Sequence, residues 1–442
     1  MPGHGVSTVH DVLPPDELLF PEHLRNEGYV TALFGKLHVS GRVYERDTRH
    51  PQDGFDHYEY AISPYTRGGR YNAYESWLHN HHPAFFAELE KRGSDIGNFP
   101  REASLTHWIA QRTCAFLEDR SGSQPFFCCM GIVDPHDPYN DYPAEYRDRV
   151  NIDVLDAWTT EGTPSSLAPS AVIREHEHGY LGGFNDYSAA QVQEMRLGYF
   201  ASIALLDDEI GRVLDKLDEL GLREDTLVIF TSDHGDMLGD HGLLGKGGYF
   251  FDPATRVPLI MRLPGVVPQG TRIGKPVQLH EIATTVCSVA GIAPDQVSRL
   301  MPEGRDLVAL TSAGRSGTGY AGAPAEIAVC TYRNTGINRD KVHWDPPIHG
   351  TMVFDGRYKL NWYHNALASF DSSPTIEGEL YDLVSDPEEH RNLWNEPEYE
   401  GVRFRLHARL TDWLVGQSRL YGDGRGGTAF PPKTQWIQNN PI

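Results

Sequence analysis

The sequence is 442 residues long, room for roughly two or three domains, and its 39% hydrophobic and 23% charged residues exclude a disordered chain. A formal charge of −22, from 39 basic and 61 acidic side chains, argues against a nucleic-acid backbone or an anionic membrane as partner. No run approaches the roughly 18 to 20 apolar residues that span a bilayer, and Met1-Pro2-Gly3-His4-Gly5 lacks the basic start and apolar stretch of a secretion signal. A small anion can still bind such a chain where a metal ion or local cations reverse the field. The five cysteines (Cys114, Cys128, Cys129, Cys287, Cys330) form no metal-type CxxC pair and read as buried, reduced thiols, which favours a cytoplasmic protein.

In chain order, Pro14 to Asn26 reads as a helix closed by Glu27-Gly28, and Tyr29 to Phe34 as a short buried strand. Glu102 to Glu118 has helical spacing in Leu105, Ile109, Thr113 and Phe116, and Pro125 to Val133 suits a strand covered on both faces. Residues 137–187 are rich in Pro, Tyr and acids with little periodicity, as expected of an insertion near the site. Within it, Glu175-His176-Glu177-His178 reads as a solvated charge run. Tyr139, Tyr142, Tyr146, Trp158 and Tyr180 read either as a pocket lining or as a local apolar patch. Gln193 to Leu220 carries Ile203, Leu206, Ile210, Val213, Leu217 and Leu220 on one helical stripe, and Gly221 stops it before the strand Thr226 to Thr231. His280 to Ala290 is a further amphipathic helix.

These alternations predict an α/β fold, a three-layer sandwich around a largely parallel central sheet. Its catalytic domain would cover residues 1–320. Beyond it the texture changes: Glu326 to Tyr332, Thr351 to Phe354, Tyr358 to Tyr363 and Gly378 to Leu383 look like short strands, with a hairpin turn at Asp355-Gly356 and a last helix near Val402 to Gln417. Residues 321–442 are therefore expected to form a smaller antiparallel sheet with a helix, and a tail.

Three polar clusters directly follow three predicted buried strands: Gly35-Lys36-Leu37-His38, Asp134-Pro135-His136-Asp137-Pro138 and Ser232-Asp233-His234-Gly235-Asp236. Ligands of open α/β sheets sit beyond the carboxyl ends of the strands, so the three should converge. Asp233 and His234 pair a hard carboxylate with an imidazole, the ingredients of a divalent-metal site. Lys246 lies in the glycine-rich Gly245-Lys246-Gly247, and with Lys36 it supplies the positive charge a tetrahedral oxyanion needs. His136 and His38 are candidate general acids for a leaving alcohol.

These residues resemble the motifs of the sulfatases, members of the alkaline-phosphatase superfamily. The resemblance rests on the Lys36 and His136 clusters, on the block from Leu227 to Lys246, on Arg256-Val-Pro-Leu-Ile-Met-Arg-Leu-Pro-Gly265 and on Glu379 to Leu393. It implies hydrolysis of a sulfate monoester to alcohol and sulfate, with Asp233 and His234 as ligands of a divalent cation, commonly Ca²⁺. Lys36 and Lys246 would hold the sulfate oxygens, His136 would act near the leaving oxygen, and His38 would support the nucleophile or the sulfate. A phosphodiester or phosphonate monoester hydrolase of the same superfamily, and a non-catalytic relative that binds anions or partner proteins, are the alternatives. An oligomer is compatible with any of them.

The sequence departs from the family pattern at its most reactive position. Sulfatases attack with a formylglycine made from the Cys or Ser of C/S-x-P-x-R, and no such element occurs in the 442 residues; Ser63-Pro64-Tyr65-Thr66-Arg67 has the wrong register. The paired N-terminal acids of the family's metal site are also absent. In typical members both elements precede the counterpart of Pro2-Gly-His-Gly-Val6, so the resemblance implies an N-terminally truncated chain, without the first strand, half the metal shell and the nucleophile.

Overall fold

The computed structural model describes residues 11–120, 124–155, 168–316, 327–334, 336–364 and 377–423. These residues fall into two compact units, one of residues 11–272 with Tyr332–Ile348, the other of Ile273–Thr331 with the residues from His349 onward. The fold is α/β, with a parallel sheet in the first unit and an antiparallel four-stranded sheet toward the C-terminus.

In the first unit, helix α1 (Phe20–Asn26) is shorter than its sequence suggests, because Pro21 starts it and Gly28, at φ +87°, turns the chain out of it. Strand β1 (Val30–Gly35) is the centre of a three-stranded parallel sheet, flanked by β2 (His57–Tyr60) and β3 (Phe126–Gly131). Alternating side chains give the sheet two covered faces. On one face Ala32 and Phe34 of β1, with Phe126, Cys128 and Met130 of β3, pack into a core with Trp108, Ile109 and Leu117 of helix α2 (Leu105–Arg120). On the other, the ring of Phe127 meets Phe20 of α1 at 5.2 Å. Cys128 is thus part of the core, and burial pushes its thiol up, as expected of an inert cysteine.

Residues 170–178, within the segment expected to be an insertion, form a helix, α3 (Ser170–His178), with Ala171, Val172, Glu175 and His176 on its buried side. Helix α4 (Ala189–Glu219) opens with a capping box between Ser188 and Gln191. Its buried face runs through Leu205, Glu209, Val213 and Leu217, so Ile203, Leu206 and Ile210 are half-buried at its flanks. Glu209 holds that inward place because charge surrounds it: Arg101 Nε donates at 2.8 Å, the His107 ring lies at 3.0 Å, and Arg212 is a third partner. Strand β4 (Val228–Thr231) pairs antiparallel with β5 (Leu259–Arg262).

The second unit contains helix α5 (Glu281–Val289) and a sheet of β6 (Ala328–Arg333, of which the residues to Thr331 fall in this unit), β7 (His349–Phe354), β8 (Tyr358–Tyr363) and β9 (Glu377–Asp382), in that order. The expected hairpin joins β7 to β8, with Phe354 opposite Lys359 and Gly356 at φ +94° in the first central position of the turn. Val353, Leu360 and Leu380 of the sheet pack with Leu406 and Leu410 of helix α6 (Glu400–Asp423). Among the described residues no helix is long and apolar enough to cross a membrane.

Candidate active site

All six candidate side chains lie in the first unit, and three strand ends supply most of them. At the ends of β1 and β3, Gly35 faces Gly131 across the ladder. The contact admits no side chain: a Cβ on Gly131 would stand 2.0 Å from the Lys36 carbonyl oxygen. This approach lets the Lys36 N–H bond the Gly131 carbonyl at 2.7 Å, which carries β1 one residue further and sets Lys36 at the sheet edge. From there Lys36 Nζ reaches Asp233 Oδ2, beyond β4, at 3.2 Å.

Around Asp233 the chain turns on its own polar groups. His234 N–H donates to Asp233 Oδ1 at 3.0 Å, and His234 Nδ1 faces the Gly235 carbonyl at 2.9 Å. A carbonyl only accepts, so Nδ1 carries the proton and Nε2, 3.8 Å from Asp233 Oδ2, keeps its lone pair. The Asp233 side chain is 65% exposed, and the partial desolvation that pushes its carboxyl up is outweighed by the Lys36 ammonium, His234 and the hydrogen bond from Lys36, which bring it down to about 2. The His234 ring is lowered by burial, against the pull of Asp233.

The cluster after β3 meets the same place. His136 and His234 stand 5.9 Å apart, ring centre to ring centre. His136 Nδ1 faces two acceptors, the Asp137 carbonyl at 3.0 Å and Asp137 Oδ1 at 2.9 Å, so this nitrogen too is the protonated one. Its Nε2 lies 2.5 Å from Lys246 Nζ. Burial lowers Lys246, while Asp137 and Asp236 oppose the shift. The Lys246 amine thus faces the imidazole lone pair. Tyr180 stands over these two side chains, its ring centre 5.4 Å from Lys246 Nζ.

His38 sits at φ 59°, and its N–H donates to Glu45 Oε2 at 3.1 Å. Burial, then Lys36, His136 and Lys246, bring its imidazole down to about 4 against the pull of Asp233, so it is neutral near pH 7. Glu45 escaped the sequence reading. Buried in the short helix Arg42–Asp47, it also accepts the Ser40 N–H at 2.8 Å, and so shapes the turn that presents His38.

Two expectations about residues 137–187 change. Glu175-His176-Glu177-His178 is solvated only in its second half: Glu175 and His176 are 5% and 9% exposed and bond the loop that bears Lys246. The helical spacing of Ala171, Val172 and Glu175 was the available signal, masked by the polar residues around it. Of the aromatics, Tyr142 and Tyr146 form an apolar cluster with Leu197, Ala201 and Leu205, whereas Tyr139 donates to Asp236 Oδ2 at 2.7 Å. Trp158 lies outside the described residues. His241 is buried and stacks on Phe251 with ring centres 4.0 Å apart.

The donor set is short of a metal centre. Among the described residues no group of three or more His, Cys, Asp or Glu side chains is placed to hold an ion. Asp233 and His234 are two donors, and one already bonds an ammonium, whereas Ca²⁺ takes six to eight oxygens. The residues present do not by themselves fit the ion.

The α/β scaffold thus gathers two lysines, three imidazoles and a carboxylate beyond its strand ends, the grouping that the resemblance to the alkaline-phosphatase superfamily implies. Comparison with known proteins makes the assignment narrower. The family described as Sulfatase matches residues 2–292, and the chain belongs to it. An uncharacterized sulfatase, YidJ, of Escherichia coli (strain K12) is 26% identical over 437 residues, covering 93% of this chain and 72% of that protein. An arylsulfatase of Clostridium perfringens is 29% identical over 329 residues, covering 72% of this chain and 60% of the relative. The phosphonate monoester hydrolase of Silicibacter pomeroyi shares the fold, with a TM-score of 0.70 and 21% identity over 96% of this chain and 84% of that one.

Proposed function

We propose that the site binds the anionic head of a sulfate monoester and serves its hydrolysis to an alcohol and sulfate. The observation that carries this reading is the convergence of Lys36 and Lys246 with His136 around Asp233. The two ammoniums neutralise the ester oxygens, where charge builds as the S–O bond to the alcohol breaks. Lys246 lies against the His136 Nε2 lone pair at 2.5 Å; once Lys246 turns to the anion as an ammonium, Nε2 is freed to take a proton from solvent and pass it to the departing alkoxide. His38, neutral and held through Glu45, supports the sulfate or the attacking group.

Asp233 and His234 supply two donors, fewer than a divalent cation such as Ca²⁺ takes, and would hold one only together with donors beyond them. The covalent step of the family needs the formylglycine, and no C/S-x-P-x-R occurs in these 442 residues. What the chain's own residues supply is binding, charge neutralisation and proton delivery.

A second reading, hydrolysis of a phosphonate monoester or phosphodiester, draws support from the fold shared with the Silicibacter pomeroyi enzyme and from a relative 27% identical over 331 residues, a multifunctional alkaline phosphatase superfamily protein of Trinickia caryophylli. Titration and turnover with 4-nitrophenyl sulfate, 4-nitrophenyl phenylphosphonate and bis(4-nitrophenyl) phosphate, on the full-length gene product, decide between them. Preferential hydrolysis of the sulfate ester, abolished by Lys246→Ala, is the expected result. Preference for a phosphorus ester overturns the sulfate assignment, and binding without any turnover assigns a non-catalytic anion-binding relative.

A further inference from the structure

Helix α3 lies within residues 137–187, and nothing in the reading of Lys246 as an anion ligand uses it. Two of its buried side chains nevertheless grip the chain on either side of that lysine. Glu175 Oε1 accepts the Gly248 N–H at 2.5 Å, two residues beyond Lys246. His176 Nδ1 donates to the Gly242 carbonyl at 2.6 Å, four residues before it. The Glu175 carboxylate also fills the space over Gly247, where an added Cβ would come within 2.5 Å of its carboxyl carbon. The helix itself is tied down from another side, both Nη atoms of Arg174 donating to the Pro346 carbonyl at 2.8 Å.

The loop needs such a grip. In Gly245-Lys246-Gly247-Gly248 three glycines flank the functional side chain, and glycine loses more conformational freedom on ordering than any other residue. Asp236 secures one end by accepting the Gly245 N–H at 3.2 Å. The far end has Glu175. Burial pushes the Glu175 carboxyl up to about 7, against the hydrogen bond from Gly248. Charged or neutral, its Oε1 remains an acceptor whose buried N–H partner would be costly to leave unpaired.

We propose that Glu175, seconded by His176, is a positioning residue of the anion site: it fixes the Gly242–Gly248 loop so that the Lys246 ammonium is held where the anion binds. The inference rests on the proposed role of Lys246. Glu175 acts through the backbone and touches neither anion nor leaving group.

The experiment compares Glu175→Leu, which removes the acceptor at similar size, with Glu175→Gln, whose amide oxygen can still accept the Gly248 N–H. Hydrogen exchange of residues 237–251 reads the grip itself, and calorimetric titration with inorganic sulfate reads its effect on Lys246. Expected are faster loop exchange and about tenfold weaker sulfate binding in Glu175→Leu, and values near wild type in Glu175→Gln. In a Lys246→Ala background Glu175→Leu should weaken sulfate no further, because its effect passes through that ammonium. Unchanged exchange in Glu175→Leu overturns the grip. Faster exchange with unchanged sulfate affinity overturns the positioning role. Wild-type protein that binds no sulfate overturns the role of Lys246 itself, and the exchange data tell that failure apart.

Discussion

Lys246 Nζ lies 2.5 Å from His136 Nε2, joining a glycine-rich loop beyond β4 to the segment after β3 across 110 residues of sequence. The ring is fixed on its other side by Asp137, and Asp137 Oδ1 also stands 3.9 Å from the same ammonium. One carboxylate therefore orients the imidazole and supports the charge on the lysine.

That arrangement sets a pH dependence. Burial lowers Lys246 from its ordinary value, and Asp137 opposes the shift. Anion binding needs the protonated amine, so sulfate affinity falls as pH rises through the Lys246 pKa. Asp137→Asn removes a carboxylate that raises this pKa, so the fall should begin at lower pH than in wild type. Calorimetric sulfate titrations between pH 6 and 10 measure it. A curve shifted to higher pH, or not shifted, would contradict the assigned electrostatics.

Lys36 and Asp233 give a second expectation. The carboxyl is held at about 2 because Lys36 and His234 outweigh the effect of its partial desolvation. Lys36→Met removes the larger of those two opposing influences and leaves the desolvation, so the Asp233 pKa should rise. Carbon-13 NMR titration of the carboxyl reads it directly. The same pair bears on metal affinity. With two donors in place, Ca²⁺ should bind this chain only at about millimolar concentration, the weak end of protein sites, and Asp233→Asn should abolish what binding there is. Submicromolar binding would require donors beyond Asp233 and His234.

Much of this site was legible in the sequence because strand ends are local features. Lys36 and His136 follow β1 and β3, neighbouring parallel strands whose carboxyl ends lie side by side, and Asp233 follows β4, an apolar run that pairs with β5 in a separate two-stranded sheet. Helix α3 and Glu45 were not legible. In α3 the apolar signal is only Ala171 and Val172, and Glu175 and His176 are buried by backbone partners in the distant Lys246 loop. Glu45 is buried by the nearby N–H groups of His38 and Ser40, in a helix too short to show a period. The stripe of α4 misled in the same way. Glu209 takes an inward position because Arg101, His107 and Arg212 surround it, and only the tertiary structure brings Arg101 and His107 there.

Glu209 predicts an acid sensitivity. Burial alone would raise its carboxyl, but hydrogen bonds from His107 and Arg101 and the charges of His107 and Arg212 bring it down to about 2. A carboxylate whose folded pKa is depressed contributes stability that is complete above its unfolded value of 4.5 and is lost as pH falls toward 2. Thermal melts should therefore show wild type losing stability between pH 5 and 2.5 more steeply than Glu209→Gln. The variant should be the less stable of the two at pH 7, since it removes the buried counter-charge of the half-exposed Arg101 and Arg212. Parallel melting curves across that range would remove Glu209 as the cause.

The glycines of the chain separate into those that space requires and those it does not, and two alanine substitutions should move stability in opposite directions. Gly131 has an ordinary φ, so an alanine there carries no conformational penalty of its own, but its Cβ would meet the Lys36 carbonyl oxygen at 2.0 Å and the Lys36 nitrogen at 2.6 Å. Both are backbone atoms, and the β1 end must move to admit the methyl group. Gly131→Ala should lower the melting temperature and, because Lys36 is carried on the displaced backbone, weaken sulfate binding. Gly211, within α4, has nothing within 4 Å of an added Cβ. There alanine removes freedom from the unfolded chain and favours the helix, which should add roughly 0.5 to 1 kcal/mol and leave sulfate affinity unchanged. Differential scanning calorimetry with sulfate titration on both variants makes the comparison. A Gly131→Ala protein as stable as wild type, with full sulfate affinity, would show that the paired glycines do not set the position of Lys36.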